Sequence, residues 1–247
     1  MSKSALILFP HGLGDVIMAT PSLEAIANEG YEIDMMVRPS VVTSHLLDDC
    51  PFIRDLIKAR TDTTEFGFNK YHMPRFRALG KEYDRTEVSR LHDRCVYRHR
   101  LIAEELHAKT SGYDYKVWIP DECKQEAEHF LANRAPEGDF VYVHTKTEVH
   151  RHYWWDSLGY VKKTFGDLPI VDSGYEGEDW MRFDNINTNF ALIEMAKHRV
   201  MSLSVMAAAA EALKAPMDVL NIVDFGHSCR PADRNMVSKL RVSGVIR

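Results

Sequence analysis

The residues Gly12, Leu13, Gly14 and Asp15, in the stretch FPHGLGDVIMATPSLEAI, follow directly on the chain's first apolar segment. Three chemistries fit that pattern. Glycines between a strand and a helix let backbone N–H groups and the positive end of the helix dipole face one crevice, which suits a phosphate. The dinucleotide fingerprint GxGxxG is incomplete, because Val16 and Ile17 follow Asp15, and the lysine of a P-loop is missing. Asp15 itself is compatible with two roles. A carboxylate in the first turn of a helix caps it and is stabilised by the dipole. At the carboxyl edge of a parallel sheet, where such folds bind ligands, the same group serves as a general base. Spacing alone leaves the three open.

Two further sets of residues invite chemical readings. His150 and His152 are two apart, so on a strand they face the same way, and His144 is near. With no Cys or acidic partner at a ligand spacing, no metal site is expected. Between Lys70 and Arg100 there are nine Lys or Arg against four acids, interleaved with Tyr71, Phe76, Tyr83 and Tyr97. A solvated helix face explains that excess of cations, and so does a surface for an anionic partner.

The elements that must position these residues alternate regularly. SALILF reads as a buried strand, and DVIMATPSLEAIANEG as a helix closing on Gly30. YEIDMMVRP is a second strand, SVVTSHLLDDCP a short helix capped by its serine, and FIRDLIKA a third strand. Residues 60–80 lack a clear period and read as loop. Thr86 to Lys109 recover a helical pattern, and YDYKVWIP leads to Pro120 as a strand. A second alternating block follows, with a helix capped by Asp121, a strand DFVYVHT, a helix WWDSLGYVKKTFG and a strand LPIVDSG. NTNFALIEMAKH, RVMSLS, VMAAAAEALKAP and MDVLNIV continue it as helix, strand, helix and last strand. This order specifies an α/β protein with parallel sheets, in two units of residues 1–116 and 117–247.

Composition agrees with a globular chain: 247 residues, 45% hydrophobic, 27% charged, formal net charge -5. That net charge gives no global attraction to nucleic acid. The four cysteines lie far apart without a CxxC pair, which argues against a zinc site and against a disulfide framework. The apolar stretch from Val200 to Leu213 is too short and too alanine-rich to span a bilayer, and MSKSALILFP has no cleavage site of small residues, so a cytoplasmic location is expected.

The residues GLGDVIMATPSLEAI resemble the N-terminal motif of family 9 glycosyltransferases, which include the ADP-heptose:lipopolysaccharide heptosyltransferases. In that family a Gly-Asp pair precedes an apolar helix turn, Thr-Pro and a leucine. YEIDMMVRPSVVTSHLLDDCPFIRDLI, DFVYVHTKTEVHRHYWWDSLGYVKKTFGDLPIVDSGYEGE and FALIEMAKHRVMSLSVMAAAAEALKAP are similar in layout. The resemblance implies a GT-B architecture, with two Rossmann-like domains facing across a cleft. The first domain would take the acceptor and the second a nucleotide sugar. It also implies an inverting, metal-independent transfer with Asp15 as base on the acceptor hydroxyl, and no cofactor beyond the nucleotide-sugar co-substrate.

The resemblance places donor-binding residues in HTKTEVHRHYWW. Lys146 or Arg151 falls where the family has a basic residue, Arg151 aligning better because it precedes the tryptophans; His144 and Thr145 are placed for phosphate oxygens. Glu176 or Glu178, after DSGY, is a candidate partner for a ribose, though an acidic loop face accounts for them better. Ser204 keeps the hydroxyl of the family's Asp-Ser/Thr-Gly motif, whose aspartate, glycine and histidine are absent from LSVMAAAA. On the acceptor side stand Gly12, Gly14, Arg94, Arg98 and Arg100, facing an anionic acceptor. Lipopolysaccharide is the family's acceptor; a hydroxymethylated DNA base or other nucleic acid is the alternative. A non-catalytic nucleotide- or glycan-binding protein of the same fold is the other alternative.

Overall fold

The computed structural model describes residues 3–60, 72–90, 98–110, 114–145, 157–174, 177–179, 182–202, 204–222 and 237–242. The chain divides into two compact units, Met1–Trp118 and Ile119–Arg247.

The first unit is built on four parallel strands, β1 (Lys3–Phe9), β2 (Tyr31–Val37), β3 (Ile53–Lys58) and β4 (Arg85–Val88), in the order β3-β2-β1-β4. Ala5 to Phe9 are fully buried, as expected of a parallel strand covered on both faces. Helix α1 (Leu13–Asn28) leaves β1 through Gly12, and Gly30 follows its C-terminus with φ +88°, a conformation open to glycine. Pro21 lies inside α1 and cannot donate to the carbonyl of Ile17. The Thr20 hydroxyl donates to that carbonyl instead, at 2.7 Å, and accepts the Lys116 N–H at 2.9 Å. The Thr-Pro pair is thereby a self-contained repair of the helix.

Four segments of this unit differ from the sequence expectation. Helix α2 (Pro39–Thr43) is capped by Arg38 with Pro39 in its first turn, not by Ser40. Within residues 60–80, helix α3 (Met73–Leu79) buries Met73 and Phe76 against Leu6, Leu8 and Met36. The expected helix from Thr86 begins as strand β4, and the helix, α4, is described over Arg98–Glu105. The expected strand ending at Pro120 is, over residues 114–120, a segment without strand pairing. It is tied down by side chains: the Tyr115 hydroxyl meets His99 Nδ1 at 3.0 Å, and Trp118 packs edge-on against Phe52.

The second unit carries β5 (Val141–His144), β6 (Ile170–Asp172), β7 (His198–Met201), β8 (Met217–Ile222) and β9 (Val237–Val242), all parallel, in the order β6-β5-β7-β8-β9. Strand β9 was not expected. Its helices are α5 (Asp121–Arg134), α6 (Ser157–Phe165), α7 (Ile186–Met195) and α8 (Val205–Ala212). Pro120 takes the cap of α5, and Asp121 stands in the first turn. Tyr160 and Val161 of α6 bury with Val141, Val143 and Val200. The intervening β5 residues, Tyr142 and His144, face the opposite way.

Parallel sheets whose strand order reverses bind ligands outside the carboxyl ends, at the point of reversal. In the first unit that point lies between β1 and β4; in the second it lies between β5 and β7.

Candidate active site

The reversal point of the first unit gathers residues from four elements. Asp15 stands in the first turn of α1, His11 in the turn before it, Arg38 just after β2, Ser89 just after β4, and Arg98 at the start of α4. Arg98 Nε lies 4.0 Å from Asp15 Oδ1, with both side chains about three-quarters buried. Burial pushes the Asp15 carboxyl above the usual carboxylate range, while Arg98, the Gly12 backbone and Arg38 pull in the opposite direction. A carboxylate made more basic this way is better matched to proton abstraction near neutral pH. At Gly12 an added Cβ would meet nothing within 4 Å, and φ is −74°. The fold itself therefore does not require glycine there; the open space lies beside the base. Gly14 is part of the first turn of α1.

His11 is a functional candidate that the sequence reading passed over. Its Nε2 lies 3.1 Å from both the carbonyl oxygen and the hydroxyl of Ser89. A carbonyl only accepts, so Nε2 carries the proton and Nδ1 the lone pair. Burial pushes its pKa down to about 3, so the ring is neutral at physiological pH. The Ser89 hydroxyl donates onward to Glu105 of α4 at 2.8 Å. Arg38 donates from Nε to the Pro10 carbonyl in the same turn. Arg100 is exposed on α4, and two residues along a helix rotate it to roughly the opposite side from Arg98. The two arginines do not share a face.

The reversal point of the second unit holds His144, Thr145, Ser202 and Ser204. His144 Nδ1 donates to the Ser173 carbonyl and hydroxyl at 3.0 and 3.1 Å, Ser173 to Tyr142 at 2.7 Å, and Tyr142 to Asn189 at 3.1 Å. Burial lowers the His144 pKa to about 4. It is therefore a neutral ring with its Nε2 as acceptor, which suits a hydroxyl or amine better than a phosphate oxygen. Thr145 is buried, and Ser202 N–H closes onto the His144 carbonyl at 2.9 Å. Ser204 caps α8 by position, but its buried hydroxyl oxygen has no hydrogen-bond partner. Glu178 pairs with Arg134 at 2.9 Å, which favours its reading as part of a surface loop network. Lys146, Arg151, Glu176 and Arg94 lie outside the described residues. Among the described residues no group of three or more His, Cys, Asp or Glu side chains is arranged to hold a metal ion, and no helix is long and apolar enough to cross a membrane.

No family model and no curated protein matches the chain. Solved structures do. The chain is similar to the glycosyl transferase family 9 protein from Veillonella parvula, with a TM-score of 0.66 and 12% identity over 92% of this chain and 84% of that one. It is similar to E. coli ADP-heptose lps heptosyltransferase II, with a TM-score of 0.61 and 13% identity over 97% and 89% of the two chains. A third is the dodecameric iron-containing heptosyltransferase TibC in complex with ADP-D-β-D-heptose, at 0.56 and 12% identity over 88% of this chain and 57% of that one. At these identities the likeness defines a fold. It is an α/β fold with parallel sheets similar to that of GT-B glycosyltransferases. The structural neighbours are family 9 enzymes, the same family that the GLGD motif resembles.

Proposed function

We propose that this chain is an inverting, metal-independent glycosyltransferase of the heptosyltransferase kind, moving a sugar from a nucleotide sugar to an acceptor hydroxyl. The carrying observation is Asp15: a desolvated carboxylate at the reversal point of a parallel sheet, steadied by Arg98 at 4.0 Å and bordered by open space at Gly12. Asp15 takes the proton of the acceptor hydroxyl as its oxygen forms a bond to the anomeric carbon. The bond from that carbon to the diphosphate breaks with its electron pair, so the leaving group gains charge that backbone N–H groups or cations must meet.

In this reading the first unit takes the acceptor and the second the nucleotide sugar, as in a GT-B enzyme. The acceptor is anionic, drawn by the guanidinium groups of Arg38 and Arg98. The N-terminus of α8, with its unpartnered Ser204 hydroxyl, supports the diphosphate, and Lys146 or Arg151 supplies the cation. His144 accepts from a nucleoside hydroxyl or amine. A thermal-shift panel of ADP-, UDP-, GDP- and CMP-linked sugars tests the donor site. At least one should raise the melting temperature in proportion to the logarithm of its concentration, with Ser204→Val reducing the shift. No response across the panel would remove the nucleotide sugar from the account.

A further inference from the structure

Helix α4 supplies Arg98 at one end and Glu105 at the other, seven residues and about two turns apart, hence on the same side of the helix. Glu105 Oε2 accepts two hydrogen bonds, from the Ser89 hydroxyl at 2.8 Å and from the Arg90 N–H at 2.8 Å. Ser89 is fully buried, and its backbone N–H is already bonded to the Leu8 carbonyl of β1 at 3.0 Å. Its hydroxyl and carbonyl receive the His11 Nε2–H. One carboxylate thus joins three parts that the chain connects only distantly: the end of β4, the turn that launches α1, and the helix that presents Arg98. His11 is fixed further by its edge-on contact with Phe9, ring centroids 4.8 Å apart.

We infer that Glu105 is a positioning residue for Asp15: through Ser89 and His11 it locks α4 to the β1–α1 turn and so holds the Arg98 guanidinium beside the Asp15 carboxylate. A 4.0 Å separation is longer than a hydrogen-bonded ion pair, so the Arg98–Asp15 contact does not hold itself. Asp15 needs that restraint because burial works against its charge. Among the described residues, the charged or titratable groups around it are Arg98 from α4, Arg38 from the end of β2 and the neutral His11 from its own turn. Glu105 stabilises this arrangement without touching the acceptor. The catalytic consequence rests on the reading of Asp15 as the base; the positioning itself does not.

The test follows the Asp15 side-chain carboxyl by carbon-detected NMR titration in the full chain, with Asp15→Asn identifying its resonance. Arg98→Gln sets the size of the shift expected when the guanidinium is lost, an upward move of the Asp15 midpoint. Glu105→Ala should move it upward too, and should add nothing in the Arg98→Gln background. Glu105→Gln keeps an oxygen that can accept both bonds, so it should stay near the parent. Ser89→Ala provides a second route to the same break, with circular dichroism confirming that each variant is folded. The opposite pattern overturns the proposal: a through-space charge effect of Glu105 would lower the Asp15 midpoint equally in Glu105→Ala and Glu105→Gln. An unchanged midpoint in Glu105→Ala and Ser89→Ala would overturn it as well. These outcomes need no nucleotide sugar, so they stand apart from success or failure of the transferase reading.

Discussion

Under the proposed function, Asp15 and Gly12 divide the work of the GLGD turn between chemistry and access. Because φ at Gly12 is −74° and a Cβ there would meet nothing, Gly12→Ala should fold with stability within about 1 kcal/mol of the parent, the smaller entropy of the unfolded chain offsetting the poorer helix cap. Under the proposed reading the same methyl occupies the acceptor's space. Acceptor KM should then rise several-fold while the donor-induced thermal shift is kept; steady-state kinetics beside a melting curve decides the matter. A Gly12→Ala protein with unaltered kinetics would mean that the acceptor does not approach this turn. Asp15 could be singled out from the sequence because strand, glycines and helix occur within a few residues. His11 sits in the same quoted stretch and was missed. Its partner Ser89 is 78 residues away, and no local spacing reveals a hydrogen bond across a sheet's point of reversal. Arg38 was missed for a related reason: it follows β2, and its contact with the turn after β1 is made across the sheet.

The elements follow the sequence where one apolar pattern suffices and depart from it where a partner decides. The fully buried β1 and the α1 helix with Gly30 behind it are written in adjacent residues. Strand β4, by contrast, reads Arg-Thr-Glu-Val, with no apolar run. It forms because β1 offers an open edge, and because Arg85 pairs with Glu29 and Glu87 and donates to the Leu106 carbonyl. Helix α3 has its apolar residues at Met73, Phe76 and Leu79, but they alternate with arginines in too short a span to establish a period. The Thr20-Pro21 pair gives a sharper test at this scale. Thr20→Val removes the hydroxyl that satisfies both the Ile17 carbonyl and the Lys116 N–H in a fully buried place. The loss should be on the order of 3 kcal/mol by urea denaturation. Thr20→Ser should recover most of it. Equal stability of the Val variant would show that the helix is not repaired in this way.

At the scale of the whole molecule, four buried histidines among the described residues couple stability to pH, and burial lowers the pKa of His72 as it does those of the other three. His11, His99 and His144 are lowered by burial to about 3, about 4 and about 4. Each stays neutral in the fold while the unfolded chain takes up its proton below about 6.5. Stability is therefore full above that value and declines as the pH falls toward about 4, where the loss levels off for His99 and His144. At about pH 5 the effect is on the order of 2 kcal/mol per histidine. Asp15 and Asp179, whose carboxyls burial raises, act in the other direction and soften the decline. Melting temperatures should thus fall between about pH 7.5 and about pH 5. His144→Asn and His11→Asn should flatten that dependence, whereas a steeper slope in those variants would contradict it. Neither strand order is visible in the sequence, because periodicity defines elements and leaves their neighbours unspecified. Each order nonetheless creates a reversal point; Gly12, Gly14, Asp15 and Arg98 collect at the first, and His144, Thr145 and Ser204 at the second. The claim that the molecule is a glycosyltransferase using Asp15 as base is tested most directly by comparing the parent chain with Asp15→Asn for nucleoside diphosphate release from the stabilising nucleotide sugar plus acceptor. The account predicts that the variant keeps the donor's thermal shift and loses turnover by at least about 100-fold. Turnover at the parent rate with Asn at position 15 would contradict it.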